Sequence, residues 1–287
     1  MSVTGTEPGS LTEDGEPASL IGFERQGRVG TITLRNERRR NALCKQMLAE
    51  MREVLDEFAH QQVRAVVLRA GPDVKVWSAG HDIRELPRDG SDPMRYADPL
   101  EQALRAIRKH PAPVIAMIHG SVWGLATDLT LSCDFIVADR TAQFAITAVD
   151  LGLPYNASGI QNFIMRVGAH IARQMFFTSE PLPADAALQH GIINYLVDES
   201  ELERYTYDLA ERLAKKSPLA ISVIKEQIRI LAEAHPVSAT TFERIEGLRN
   251  RVYDSDDYQE GIRAFLEKRP ASFRGPAPGD PAPSDHY

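Results

Sequence analysis

The sequence is poor in cysteine. Cys44 and Cys133 are the only two in 287 residues, too few for a disulfide framework, and neither sits in a C-x-x-C pair. They read as small buried hydrophobes of a reducing compartment. The eight histidines are scattered, no H-E-x-x-H occurs, and no Cys/His cluster has zinc spacing, so no metal is expected. No apolar run approaches the ~20 residues of a membrane span. Residues 1–18 carry Glu7, Glu13, Asp14 and Glu16, no Lys or Arg and no apolar stretch, so a secretory leader is not expected and a cytoplasmic location is. Basic charge is also short. Lys and Arg total 33 against 40 Asp and Glu, a net charge of −7. A general nucleic-acid binder, which needs a basic face to displace counterions, is therefore not expected. Four of the seven excess acidic charges lie in the first 18 residues, so the remainder is closer to neutral.

What is present suits a folded chain: 43% hydrophobic and 25% charged residues. Both ends read as mobile tails, 1–18 acidic and 274–287 rich in proline. Between 19 and 200, short strands alternate with helices. Leu20–Arg25 and Val29–Leu34 flank Gly27 as a hairpin. Residues 45–60 place Met47, Met51, Val54, Leu55 and Phe58 on one helical stripe. The runs 65–68, 114–118, 135–138 and 191–198 read as buried strands. From 201 to 273 the pattern is helical. Ser217-Pro218 is a helix start, a capping hydroxyl followed by Pro at the first position. Ile221, Ile224, Ile228 and Leu231 follow at helical spacing, and Phe242, Ile245, Leu248 and Val252 repeat it.

Two segments pass from a strand through small residues toward a helix. The first is Ser78-Ala79-Gly80-His81-Asp82 and the second Gly120-Ser121-Val122-Trp123-Gly124-Leu125. Such turns let a ligand approach the backbone and aim N–H groups at an anionic oxygen. On pattern alone, two independent helix starts and two convergent donors are both open. Asp82 and Glu85 suit the start of a helix, where negative charge is favoured. Trp77 and Trp123 suit core packing.

These two segments, with Ile32-Thr33-Leu34 and Asn41-Ala42-Leu43 upstream and Glu260-Gly261-Ile262-Arg263-Ala264-Phe265-Leu266-Glu267-Lys268-Arg269 near the end, resemble the crotonase (enoyl-CoA hydratase/isomerase) superfamily from about residue 20 to 275. The resemblance implies an α/β fold, a spiral of ββα units with a helical C-terminal region that forms trimers or dimers of trimers. It implies an acyl-CoA thioester as substrate and no separate cofactor. It places the two N–H groups of an oxyanion hole at His81 and Leu125, the thioester arm along Ala79, Gly80, His81, Asp82 and Ile83, and CoA contacts at Arg38 and Lys268.

Within the superfamily, hydratases carry two glutamates at the site. Here the corresponding positions hold Asp128 and Ala148, and an alanine moves no proton. Thr147, Tyr155 and the histidine at 81 instead resemble the branch that decarboxylates methylmalonyl-CoA, as do Glu85-Leu86-Pro87, Val252-Tyr253-Asp254-Ser255 and Asp257-Tyr258-Gln259-Glu260-Gly261. That branch implies an acyl-CoA lyase acting on methylmalonyl-CoA or a related malonyl thioester, with His81 and Thr147 holding the carboxylate and Tyr155 orienting it or protonating the enolate. The alternatives are an enoyl-CoA hydratase or isomerase using Asp128, and a non-catalytic acyl-CoA-binding homologue. Leu125 stands where the pattern has Gly; a backbone with φ > 0 there would strain a leucine.

Overall fold

The computed structural model describes residues 3–5, 19–87, 97–234 and 238–275. The expected hairpin is present as β2 (Ile21–Gln26) and β3 (Val29–Leu34), with β1 (Val3–Gly5) antiparallel to β2 at the sheet edge. The rest of the expected acidic tail, and the proline-rich end beyond Gly275, lie outside the described residues. Helix α1 (Lys45–His60) follows and buries Met47, Leu48, Met51, Val54, Leu55 and Phe58, the stripe its periodicity requires. Each of these side chains stabilises the fold by roughly 1.5–3 kcal/mol relative to exposure.

Three ββα units come next. They are β4 (Ala65–Ala70), β5 (Val76–Ser78) and α2 (Pro99–Lys109); β6 (Val114–Ile118), β7 (Ser121–Trp123) and α3 (Leu125–Leu131); and β8 (Phe135–Asp139), β9 (Gln143–Ala145) and α4 (Ala157–Thr178). The chain then runs through β10 (Leu182–Pro183), α5 (Ala184–Gln189), β11 (Tyr195–Val197) and α6 (Leu202–Ala214). It ends in α7 (Pro218–Glu233), α8 (Ala239–Tyr253) and α9 (Asp256–Glu267). The run 191–198 is strand only at 195–197, because Gly191 turns at φ 79° after α5.

Each unit gives its first strand to a seven-stranded sheet, ordered β1-β2-β3-β4-β6-β8-β11, and its second to a four-stranded sheet, β10-β9-β7-β5. The large sheet is parallel from β3 onward and covered on both faces. Ala65 and Val67 of β4 pack toward α6, while Val66 and Leu68 join the main core with α1 and α2. Two-sided burial is why β4 and β6 read as continuous apolar runs.

The small sheet positions the site. β5, β7 and β9 are parallel neighbours, with Val76 opposite Ser121, Ser78 opposite Val122, and Trp123 opposite Ala145. Their C-terminal ends therefore lie side by side. The segments leaving those ends are 79–82, 124–125 and 147–155, which hold most of the residues singled out from sequence. The C-terminal helices cover this edge. Gly261 of α9 packs so tightly on the Val149–Leu151 turn that a Cβ there would lie 2.1 Å from the Leu151 carbonyl oxygen.

Candidate active site

The two small-residue turns do converge. Gly80 adopts φ +81°, and a Cβ on it would lie 2.5 Å from the Trp123 carbonyl oxygen and 3.2 Å from the Leu125 nitrogen. Only glycine permits that approach and that dihedral. On the far side, the Leu43 N–H donates to the Gly80 carbonyl at 2.7 Å and the Asp82 N–H to the Leu43 carbonyl at 3.1 Å. This bridge uses the groups on either side of His81, so the His81 N–H points the other way. Leu125 is the first residue of α3, where an N–H has no intrahelical acceptor. Among the described residues neither amide donates a hydrogen bond to protein. The left-handed dihedral of the second turn falls on Gly124, φ 53°, and not on Leu125. The strain expected of a leucine here is thus absent. Its side chain is buried in the main core.

Both turns open on a small cavity of about 80 Å³. Backbone and side chains of Ala79, His81, Gly124 and Leu125 form one wall, and Thr147, Ala148, Leu151, Leu153, Pro154 and Tyr155 the other. Ile83, Leu86 and Tyr253 close it. Among the described residues its polar side chains are an imidazole and three hydroxyls, and no carboxylate, lysine or arginine lines it. Burial holds the His81 imidazole below its ordinary pKa, against the pull of Glu85, Asp98 and Asp82, so the ring is neutral at pH 7. His81 Nδ1 is buried without a protein partner. Thr147 lies across from Gly124, where a Cβ would be 3.9 Å from Thr147 Oγ1.

Tyr155 is fixed by packing. Its ring meets Phe176 at 4.9 Å and Phe163 at 6.2 Å, both edge-on. Asn156 behind it caps α4, its Oδ1 accepting from the Gly159 N–H at 3.1 Å. The Tyr155 hydroxyl is buried, and burial with the adjacent Asp128 raises its pKa well above the ordinary value.

Other predicted residues fall outside the cavity. Asp128 is 1% exposed on α3, behind Tyr155, with Asn162 Nδ2 donating to its Oδ1 at 2.9 Å. It does not line the cavity. The Asp82 side chain caps the short Ile83–Glu85 turn and pairs with Arg84, with Arg39 at 3.7 Å. Arg38 is exposed in the Glu37–Arg39 turn, whose loop is tied to the first small-residue turn by the Ala79 N–H donating to the Arg40 carbonyl at 2.9 Å. Lys268 is exposed at the end of α9, away from the cavity lining. Trp77 is wholly buried, its Nε1 donating to the Met117 carbonyl at 2.9 Å, and neither it nor Trp123 lines the cavity.

Tyr253 and Tyr258 were not singled out as site residues. They form a third core with Leu86 and Ile262 over the cavity, and the Tyr258 hydroxyl donates to the Pro87 carbonyl at 2.8 Å. Their motifs, part of the resemblance to the decarboxylating branch, thus build the cover of the cavity. Among the described residues no group of three or more His, Cys, Asp or Glu is placed to hold a metal ion, and no helix is long and apolar enough to cross a membrane.

Comparison with known proteins agrees with this fold. The enoyl-CoA hydratase/isomerase family model matches residues 24–276. Methylmalonyl-CoA decarboxylase of Escherichia coli K12 is 46% identical over 248 residues, 86% of this chain and 95% of that protein. Enoyl-CoA hydratase domain-containing protein 3 of Danio rerio is 36% identical, covering 89% of this chain and 88% of that one. A solved methylmalonyl-CoA decarboxylase in complex with 2-nitronate-propionyl-CoA superposes with a TM-score of 0.88 at 45% identity, over 90% of this chain and 99% of the other. On the motifs, the ββα spiral and these matches together, the chain belongs to the enoyl-CoA hydratase/isomerase family, the crotonase superfamily.

Proposed function

We propose that the protein is a carboxy-lyase that decarboxylates methylmalonyl-CoA or a related malonyl thioester. One observation carries the reading: two backbone donors without a protein acceptor lie at a small cavity that, among the described residues, no carboxylate lines. Hydration or isomerisation requires a group that moves a proton to or from carbon or water. Decarboxylation requires only that the enolate left by departing CO2 be stabilised. The His81 and Leu125 N–H groups supply that, and one such donor is typically worth ~3–4 kcal/mol in the transition state. The similarity to a protein called methylmalonyl-CoA decarboxylase supports the same reaction.

The step balances simply. The C–C bond to the carboxylate breaks, its electron pair becomes the enolate, and the α-carbon then takes a proton. Thr147 and the neutral His81 hold the substrate carboxylate out of the thioester plane, where the breaking bond overlaps the carbonyl π system. Ala148, Leu153 and Pro154 give that carboxylate an apolar wall, which favours neutral CO2 over the anion. Tyr155 orients the carboxylate and protonates the enolate. The small cavity fits a short acyl group, and the Arg38 loop and Lys268 meet the CoA phosphates. The substrate brings the CoA; no further cofactor enters the scheme.

The protein acts in this reading as a trimer or a dimer of trimers in the cytoplasm. Leu219, Val223, Ile230 and Leu231 of α7, which lie outside the groove lining, are 48–74% exposed, an apolar row of a kind that marks a contact surface. Light scattering on the purified protein is expected to give three or six copies; a monodisperse monomer would remove this part.

The reaction is tested by incubation with methylmalonyl-CoA and, separately, crotonyl-CoA. CO2 and propionyl-CoA from the first are expected. Hydration of the second without CO2 from the first would overturn the reading in favour of a hydratase. CoA binding with neither product would favour a non-catalytic homologue.

A further inference from the structure

Asp128 is buried, titratable and unused by the scheme above. It occupies the partition between two spaces. On one side lies the acyl cavity, to which Tyr155 belongs and Asp128 does not. On the other lies a groove of about 1150 Å³ between α2, α4, α7 and α8, lined in part by Asn162, Glu101 and Arg108. Asn162 therefore faces the groove and holds Asp128 Oδ1 at 2.9 Å. That bond leaves Oδ2 directed elsewhere. Oδ2 and the Tyr155 hydroxyl are both buried, and neither has a hydrogen-bond partner among the described residues. The Asp128 carboxyl is close enough to raise the pKa of the hydroxyl, so the two orphaned groups are neighbours.

We propose that Asp128, anchored by Asn162, returns to Tyr155 the proton that Tyr155 gives to the substrate's α-carbon, and regains it from the water of the groove. The inference rests on the decarboxylase reading. As the α-carbon takes the Tyr155 proton, the phenol oxygen takes the Asp128 proton, so one negative charge moves from enolate to carboxylate and no tyrosinate accumulates. Asn162 Nδ2–H stabilises the carboxylate until a water proton neutralises it. The sum is one proton taken from solvent for each CO2 released.

The surroundings allow Asp128 to be protonated. The groups facing it are Tyr155 before α4, the neutral Asn162 on α4, and Arg108 and Glu101 on α2, which oppose one another in sign. Burial outweighs them and pushes the carboxyl up to about 6. Asp128 acts through Tyr155, so it is a positioning residue for proton delivery.

The test uses the full chain and Asp128→Asn, with Asp128→Glu as the conservative control. Propionyl-CoA formation and CO2 release are followed together against pH. For the parent, kcat is expected to fall as pH rises through about 6, the range in which Asp128 loses its proton. Asp128→Asn is expected to lower kcat by about 100-fold, the low end of what a positioned proton donor supplies, with KM unchanged and no fall across that range. Asp128→Glu restores the fall. In D2O the parent exchanges the α-hydrogens of propionyl-CoA, the reverse of the same step, and Asp128→Asn does not. If Asp128→Asn keeps the parental kcat and pH profile, or raises KM and lowers stability without altering exchange, the relay is overturned. CO2 from the parent distinguishes that outcome from failure of the decarboxylase reading, which its absence would signal.

Discussion

The wall formed by the turns after β5 and β7 presents backbone to the acyl cavity, while the facing wall after β9 presents side chains. The first is fixed by sheet register and two glycines. Parallel pairing brings the two turns together, and the left-handed dihedrals of Gly80 and Gly124 turn the chain so that the His81 and Leu125 amides are left without protein acceptors. The second is set by the chemistry of Thr147, Ala148 and Tyr155. A backbone device changes little when side chains change, so a family can keep it across reactions. The side-chain wall is where one reaction is separated from another.

The strongest way to break the backbone wall is Gly80→Ala. Its Cβ would meet the Trp123 carbonyl at 2.5 Å, and φ +81° is strained for alanine. The two turns must part, and the pair of donors loses its common focus. A loss of about 10²–10³ in kcat is expected, the cost of an oxyanion donor, with a melting temperature below that of the parent. Steady-state kinetics on protein whose circular dichroism matches the parent checks it; activity within a few-fold of the parent would place the donors elsewhere.

The side-chain wall breaks differently. Ala148→Glu restores a carboxylate at the position where hydratases have one. Opposed to the substrate's own carboxylate at about 4 Å, it costs roughly 1–4 kcal/mol, depending on how far water screens the pair. The expected outcome is a KM for methylmalonyl-CoA raised about tenfold or more, with kcat less affected and hydration of crotonyl-CoA appearing. An unchanged KM would mean that the substrate carboxylate lies away from residue 148.

His81 belongs to both walls, its amide to one and its ring to the other. Burial holds the ring's pKa below the ordinary 6.5. A histidine with a depressed folded-state pKa gives stability that is present above the unfolded value and lost as pH falls through it toward the folded one. His81→Asn keeps the amide and removes the titration. Its melting temperature is therefore expected to gain on the parent as pH drops below 6.5 and to show no such gain above it. Thermal denaturation across that range measures this, and parallel curves for the two proteins would contradict it.

The two walls were not equally legible in the sequence. Gly80 and Gly124 announced their turns, because few other residues take those dihedrals, but their convergence depends on β5 and β7 pairing. Each of those strands has three residues, too few to show an alternation. The hairpin and α1 were readable because their periodicity faces a core within one chain. The α7 stripe was equally periodic, yet Ile224, Ile228 and Leu231 lie open to solvent on this chain; spacing reports a face, not what covers it. Ala148 and Thr147 were found only by resemblance, since nothing in their spacing marks them. Tyr253 and Tyr258 were visible as motifs, but their place over the cavity depends on α8 and α9 folding back across more than a hundred residues of chain. Asp128 had the right position for a hydratase acid. Its burial behind Tyr155 is a packing result that no local pattern encodes.

The smallest effect on turnover is expected where the chain departs from its family, at Leu125→Gly. The amide proposed to face the substrate belongs to the backbone and survives the change. The φ of residue 125 is already negative, so glycine gains nothing by its freedom there. What is lost is a side chain 5% exposed that packs in the main core and lines the cavity. Large-to-small substitutions of buried leucine cost roughly 2–5 kcal/mol of stability, and the vacated volume adjoins the cavity. The variant should therefore melt lower, keep kcat for methylmalonyl-CoA within a few-fold of the parent, and accept malonyl thioesters with a larger α-substituent. Chemical denaturation with kinetics on methyl- and ethylmalonyl-CoA separates the two consequences. A kcat collapse with stability preserved would show that the leucine side chain, and not the amide alone, takes part in binding the thioester.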